Sequence, residues 1–314
     1  MKQKKNIDYI EHKIKYQVGA ADRTISIITY IVYAFFAFAC VYPFYYIFIN
    51  SISDNTLSAK GKIIFLPHGI HFNNYVQVLE LQGLFTSLWN SLARTVLGTL
   101  LTVVASAFLG YMFTRETMWH RKLWFRLIAV TMYFNAGIIP WYLVMSRLGL
   151  RNNFLIYILP TIIQPFNIIL CKTFVEGVPG ELMQAAEIDG AGTMRVFFNI
   201  VLPVIKPIVA TVAIFSAVAQ WNSFQDTLLM ITNEKLYTLQ YTLYQYLKSS
   251  DSLKALISSS QSAESIANII EAHQQTNTSV QMTVTIIVVA PIIMVYPFFQ
   301  RYFTKGIMIG AVKG

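Results

Sequence analysis

The sequence QAAEIDGAGTMRVFFNIVLP occupies residues 184–203 and lies between two stretches, 152–171 and 207–225, that contain no Asp, Glu, Lys or Arg. Each stretch has the length of about 20 residues that an apolar helix needs to cross the hydrocarbon core of a membrane. The quoted segment itself is more polar and contains two glycines and one proline. It is therefore predicted to be a short connection between two membrane-spanning helices.

The connection is predicted to contain a short helix over 181–189. Pro179 suits the start of a helix, Glu181 favours the positive amino end, and the residues 182–186 (LMQAA) propagate a helix well. Gly190 should end it. An interfacial helix between two spans and a docking element for another protein are both compatible with this local pattern.

The charge of the same region favours a protein partner. Over 173–199 four acidic residues accompany a single base, Arg195. Anionic lipid of the cytoplasmic leaflet attracts basic segments and repels acidic ones. An acidic segment on that side is therefore better explained by contact with another protein than by contact with lipid. The four acidic residues are Glu176, Glu181, Glu187 and Asp189.

The composition extends the membrane interpretation to the whole chain of 314 residues. Hydrophobic residues make up 55% of it and charged residues 12%, and the mean hydropathy is +0.51. Soluble proteins carry about 25% charged residues, so this chain has too few to cover a surface in water. We predict an all-α integral membrane protein with six spans, in a single domain over 24–314 that follows a basic tail over 1–23. The predicted spans are 24–50, 85–114, 127–146, 152–171, 207–225 and 281–300.

The orientation follows from the positions of Lys and Arg, which give the chain a formal net charge of +9. They concentrate in 1–23, 115–126, 172–206 and 301–314 and are fewer in the alternate loops. Loops rich in Lys and Arg stay on the cytoplasmic side. Both termini are therefore predicted to be cytoplasmic, with a large external loop over 226–280.

The spans lack the groups that ion coupling or catalysis requires. None contains Asp, Glu or His, and Arg94 is their only charge, near an outer helix end where we expect it to snorkel to the interface. No HExxH or GxxxxGK[ST] pattern occurs, and Cys40 and Cys171 both lie in apolar runs. We therefore predict no catalytic residue, no metal site and no cofactor in this chain. If it drives transport, another subunit supplies the energy.

The motif in the loop resembles the EAA loop of permease subunits of ATP-binding-cassette (ABC) importers. The family pattern is Glu-Ala-Ala, three residues, Gly, nine residues, Ile, one residue and Leu-Pro. Ala185 and Ala186 are followed at that spacing by Gly190, Ile200 and Leu202-Pro203. Gln184 stands where the family has its first Glu, which removes a charge-assisted contact that Glu187 is a candidate to replace.

Further segments resemble the carbohydrate branch of these permeases. They are Asn90-Ser91, WNSF at 221–224 and the ending QRYFTKGIMIGAVKG at 300–314. The segment FNAGIIPWYLVMSRLGLRNN at 134–153 is similar to the subgroup that handles oligosaccharides or polysaccharide fragments.

The resemblance implies a type I importer fold and a multi-subunit assembly in the bacterial cytoplasmic membrane. Its partners are a second homologous permease in a heterodimer, two ATP-binding subunits, an extracellular solute-binding protein and membrane lipid, without nucleic acid. ATP and Mg²⁺ are used by the partner ATPase. The ATPase docks at the coupling loop, 173–206. The implied ATPase-coupling residues are Glu181, Gln184, Ala185, Ala186, Glu187, Asp189 and Gly190.

The translocation path should be lined by polar and aromatic residues within the spans, since polar groups are costly against lipid. Neutral amides and aromatic faces suit sugar hydroxyls and C–H faces, and the lack of charge in the set favours a neutral cargo. Each residue taken singly is also explained by a hydrogen bond between helices. A stand-alone secondary carrier or uniporter remains the alternative function. The path candidates are Tyr133, Asn135, Gln164, Asn167, Gln220, Trp221 and Asn222.

The topology predicts that a cysteine at Ser259 lies outside the cell. In a Ser259→Cys variant that lacks Cys40 and Cys171, a membrane-impermeant maleimide should label intact cells. Labelling that appears only after permeabilisation would show the inverted orientation.

Overall fold

The computed structural model describes residues 20–80, 82–248, 278–295 and 297, with the backbone alone for 20 and 21. Over these ranges the chain is helical or irregular, and they contain no strand. Most of the basic tail, the middle of the predicted external loop and the segment 300–314 lie outside the described residues. The helices are α1 Ala20–Ser51, α2 Asn55–Ala59, α3 Asn73–Leu79, α4 Leu84–Met112, α5 Arg121–Thr131, α6 Ile138–Arg147, α7 Pro165–Glu176, α8 Gly180–Ile188, α9 Thr193–Val204, α10 Lys206–Asn222, α11 Gln225–Met230, α12 at 239–248 and α13 Thr278–Val295.

Three of these helices are long and apolar enough to cross a membrane unaided, namely α1, α4 and α13. They coincide with the predicted first and second spans and with the described part of the sixth. Two bent pairs of helices bring the number of possible spans in the described ranges to five. The count of six and the location of the termini stay predictions.

The bends occur at prolines, as expected for the fourth span. The helical turns at Phe154–Thr161 meet α7 at 45°, and Pro165 is the first residue of α7. Proline lacks a backbone N–H, so it fits the first turn of a helix and interrupts a longer one. A second bend of 85° separates α9 from α10. Within α9, Leu202 donates its backbone N–H to Phe197, forming a π-helical turn just before Pro203.

The predicted third span differs from the structure. The stretch 127–146 is divided between α5, which ends at Thr131, and α6, which begins at Ile138. Between them, Asn135 Oδ1 accepts a hydrogen bond from the backbone N–H of Gly137 at 2.9 Å. Asn side chains compete in this way with the backbone bonds of a helix. Hydropathy alone does not detect the interruption.

The helix α4 is the centre of the packing. Its cytoplasmic half, by the predicted orientation, packs with α7, α9 and α10 in a buried cluster that includes Tyr111, Cys171, Phe197 and Val212. The rings of Tyr111 and Phe197 stack at 5.6 Å. The other end of α4 joins a second cluster with α12 and α13. Both ends of α4 are therefore fixed by apolar contacts.

The carboxyl-terminal end of α1 is held by buried polar contacts. Its apolar side chains from 25 to 48 are mostly exposed, whereas Ile49, Asn50 and Ser51 are buried. The Asn50 amide nitrogen donates to the carbonyl of Ile63, and Asn50 Oδ1 accepts from the Ser58 hydroxyl. The exposed length of α1 is the kind of surface that hydrocarbon covers.

A buried amide ties the amino-terminal end of α4 to the segment before α12. Asn90 is 8% exposed and donates to the carbonyls of Lys235 (2.8 Å) and Tyr237 (3.0 Å). Asn90→Leu keeps the branching of the side chain, although leucine is larger, and it leaves both acceptors without a donor, at a cost of about 1–3 kcal/mol each. We expect a lower melting temperature in thermal unfolding in detergent. Phe85→Leu, at a 79% exposed position of the same helix, should melt like the parent protein.

Candidate functional site

A charged side chain lies buried inside the helix bundle. Arg94 of α4 is 1% exposed, and its Nη1 and Nη2 donate to the two carboxylate oxygens of Asp226 at 3.2 and 2.6 Å. Nε and Nη2 donate to Gln220 Oε1 at 3.2 and 3.1 Å, and Nη1 also donates to the Ser223 carbonyl at 3.1 Å. All five N–H groups of the guanidinium are thus used. The bidentate pair fixes the geometry as well as the charge.

An aromatic ring stabilises the same guanidinium from its face. The centroid of the Tyr157 ring lies 4.5 Å from Cζ of Arg94, which is a cation–π contact. The Tyr157 hydroxyl donates to the Leu236 carbonyl at 2.7 Å and accepts from the Thr227 hydroxyl at 3.1 Å. The ring is therefore held in place by its own hydrogen bonds.

The second partner of Arg94 is also fixed. Gln220 donates its amide N–H to the Thr161 hydroxyl at 2.6 Å, and the Thr161 carbonyl accepts from Thr102 at 2.9 Å. A side chain at Gly98 would place its Cβ 2.4 Å from Gln220 Nε2. The close approach of α4 and α10 at Gly98 therefore leaves room only for the amide.

The snorkelling interpretation of Arg94 is wrong. Its side chain points into the bundle because Asp226, at 9% exposure, supplies a buried counter-charge. Hydropathy does not reveal Asp226 as this partner, because the residue follows the fifth apolar stretch and falls in the predicted external loop. The available signal is Arg94 itself, since a charge within a span requires a partner, and Asp226 is the first acidic residue after that stretch.

A cavity of about 390 Å³ lies beside this network. Three path candidates line it, namely Gln164, Asn167 and Gln220, together with Arg94 and Thr161. The surface offers amide and hydroxyl groups, and the charged side chain that the described residues contribute to it is already paired. Within the same described ranges, no group of three or more His, Cys, Asp or Glu side chains is placed to hold a metal ion.

The remaining path candidates lie elsewhere. Asn135 lines a second cavity of about 510 Å³, next to Asp226. Tyr133 is 86% exposed and Asn222 is exposed. Trp221 packs in the cluster with α12 and α13 and donates its indole N–H to the Val288 carbonyl at 3.0 Å. The structure thus brings together Gln164, Asn167 and Gln220, and it places the Trp221 ring in the core instead of in a cavity wall.

The predicted short helix in the acidic loop is present as α8. It runs from Gly180, after Pro179, to Ile188, and Gly190 follows the capping residue Asp189 with φ +79°. Met183 and Ala186 pack on the buried cluster formed by α4, α7, α9 and α10. The opposite face is exposed, with Ile188 at 86% and Leu182 at 48% exposure. The exposed face also carries the predicted coupling residues Glu181, Gln184, Ala185 and Asp189.

Glu187 has a partner within the chain. It forms an ion pair with Arg115, which follows the end of α4. The hydrogen bond from this pair raises the pKa of the Arg115 guanidinium. The suggestion that Glu187 replaces the charge missing at Gln184 on a partner protein therefore has a competing explanation, because Glu187 joins α8 to α4.

Comparison with known proteins identifies the class. Residues 102–309 match the family described as "Binding-protein-dependent transport system inner membrane component", and the chain belongs to this family. It is therefore a permease component of an ABC transport system in the bacterial cytoplasmic membrane, and the resemblance drawn from the loop motif is confirmed.

Individual relatives agree with this assignment. The chain is 32% identical over 279 residues to the polygalacturonan/rhamnogalacturonan transport system permease protein YtcP of Bacillus subtilis (strain 168), covering 89% of this chain and 94% of the relative. It is 27% identical over 287 residues to the arabinooligosaccharides transport system permease protein AraQ of Halalkalibacterium halodurans, covering 90% and 94%. A chain from the crystal structure of a bacterial ABC transporter involved in the import of the acidic polysaccharide alginate matches with TM-score 0.79 and 28% identity, covering 91% of this chain and 98% of that one.

The turn after α8 generates a testable prediction. Gly190 has positive φ, and apart from Gly190 and its two chain neighbours no described residue has an atom within 4 Å of the point that a Cβ would occupy, so a substitution there strains the backbone without a clash. Gly190→Val should abolish uptake of the transported solute while membrane insertion stays normal, because a β-branched residue rarely adopts this conformation. Gly190→Asn is the matched control, since Asn tolerates it, and should keep most of the uptake. Normal uptake by the Val variant would contradict a coupling role for α8.

Proposed function

We propose that the chain is one permease half of an ATP-driven importer that moves an oligosaccharide across the cytoplasmic membrane by alternating access. The observation that carries this proposal is that a single helix, α4, connects a polar cavity to α8. Arg94 of α4 belongs to the cavity wall, and Arg115, just beyond its other end, pairs with Glu187 of α8. A partner that grips α8 can therefore act on the cavity through one continuous element.

The partners proposed for α8 are the ATP-binding subunits. The exposed face of α8 combines apolar side chains, Leu182 and Ile188, with the small Ala185 and the acids Glu181 and Asp189. Exposed apolar residues on a short rigid helix suit a groove in another protein. ATP and Mg²⁺ are used by that partner. The proposal also includes a second permease and an extracellular solute-binding protein.

The cavity chemistry supports a sugar. Gln164, Asn167 and Gln220 offer amides, and Thr161 offers a hydroxyl, which match the donor and acceptor groups of a polyol. Arg94 has all of its N–H groups engaged, so it presents no unpaired cation to the cavity. The relatives' names include several sugars, and the solved structure concerns an acidic polysaccharide. The amides and hydroxyls of this cavity fit the uncharged hydroxyls of either kind of sugar.

A secondary carrier is the second candidate function, and one specific observation favours it. A buried carboxylate such as Asp226 is the kind of group that binds and releases a coupling proton in carriers. Against this role, both of its oxygens already accept hydrogen bonds from Arg94, so the carboxylate is occupied by a partner within the chain.

Uptake measurements distinguish the two candidates. In a host deleted for this chain, the intact gene should restore uptake of labelled oligosaccharides, and a P-loop Lys→Ala variant of the partner ATPase should abolish it. Collapse of the proton gradient with ATP maintained should leave uptake in place. Uptake that survives the ATPase variant and stops with the gradient would support a carrier instead.

The charge of the cargo is tested in the same assay. A set of neutral oligosaccharides is compared with a set of uronic-acid oligosaccharides of equal length. The neutral-cargo prediction expects uptake of the neutral set. Uptake confined to the acidic set would contradict that prediction and leave the importer proposal intact.

A further inference from the structure

The Arg94–Asp226 pair lies between the two cavities. Arg94 and Gln220 belong to the wall of the 390 Å³ cavity, and Asp226 belongs to the wall of the 510 Å³ cavity. Thr161 and Ser223 contribute to both walls. The hydrogen-bonded network described above is therefore the partition between the two spaces.

The two cavities lie at different depths along the helices. The 390 Å³ cavity is lined by two residues of α4, Arg94 and Thr102. At the helical rise, Thr102 lies about 12 Å further along α4 than Arg94. Ser216 of the same cavity likewise precedes the end of α10. The 510 Å³ cavity includes Leu229 of α11, beyond that end. The partition thus separates a deeper space from one nearer the predicted external side.

The network joins elements at their breaks. Asp226 is in the short helix α11, which is separated from α10 by an extended Ser223 with ψ 128°. Thr161 ends the helical turns that precede the 45° bend before α7. Loop residues at the ends of elements are where hinge movements occur. Separation of Asp226 from Arg94 therefore requires no rupture within α4 or α10.

We propose that Arg94, Gln220 and Asp226 form a gate that closes the passage between the two cavities and opens when a hydroxyl-rich solute replaces their mutual hydrogen bonds. The inference rests on the proposed function. An opened pair leaves a buried guanidinium and a buried carboxylate that need partners. A polyol supplies both, because each hydroxyl donates to the carboxylate and accepts from the guanidinium. The gate thus favours the closed state in the absence of solute.

Leakage through the gate tests the proposal. The whole importer complex is reconstituted in liposomes loaded with a labelled oligosaccharide, and efflux is measured without ATP. Arg94→Gln with Asp226→Asn removes both charges and retains amides, so the doubly substituted complex should leak at least tenfold faster than the parent. Glu116→Gln with Arg121→Gln removes an exposed ion pair and should leave the liposomes tight. The proposal would be overturned if the correctly folded gate variant showed the same efflux without ATP as the parent complex and normal ATP-driven uptake.

A second measurement keeps the gate residues intact in case the double variant does not fold. Ser216→Cys, in a background lacking Cys40 and Cys171, places a thiol in the deeper cavity. An impermeant maleimide added from outside should label it slowly in the resting complex and at least tenfold faster with ATP and solute. Equal rates in both conditions would overturn the gate. Absence of ATP-dependent uptake by the parent complex would instead refute the proposed function.

Discussion

A guanidinium buried in an apolar bundle must find a partner for every one of its hydrogens, and this requirement organises the centre of the molecule. Arg94 uses five hydrogen bonds to Asp226, Gln220 and the Ser223 carbonyl, and Tyr157 covers its face. These hydrogen bonds fix the end of α10 and the start of α11, and through Gln220 they fix the turns before α7. The loss of any one partner leaves a buried polar group unpaired, which costs more than the original bond contributes.

The helix α4 connects this centre to the loop that carries the family motif. It runs without a break from Leu84 to Met112, about 40 Å at the helical rise. Its one end is tied to the segment before α12 through Asn90, and beyond its other end Arg115 pairs with Glu187 of α8. The pairing holds Glu187 beside the end of α4, while the face of α8 that carries Leu182 and Ile188 stays exposed. The helix that bears the motif is consequently attached on one side and open on the other.

Local features are predictable from the sequence, whereas features that depend on distant partners are not. The short helix α8 and its end before Gly190 follow from helix propensity and turn chemistry. The break between α5 and α6 does not, because hydropathy does not register a side chain that bonds to the backbone. The burial of Arg94 depends on Asp226, which is 132 residues away. Gln220 and Trp221 are adjacent and both suit a sugar, yet a helix directs neighbouring side chains to different sides, so only the packing of α10 sends one to the cavity and the other to α13.

The same network restricts how this chain can diverge. Replacing Arg94 alone strands a carboxylate, replacing Asp226 alone strands a cation, and a side chain at Gly98 displaces Gln220. The network therefore tolerates a substitution only when its partner positions change with it. These positions are coupled although they are far apart in the sequence.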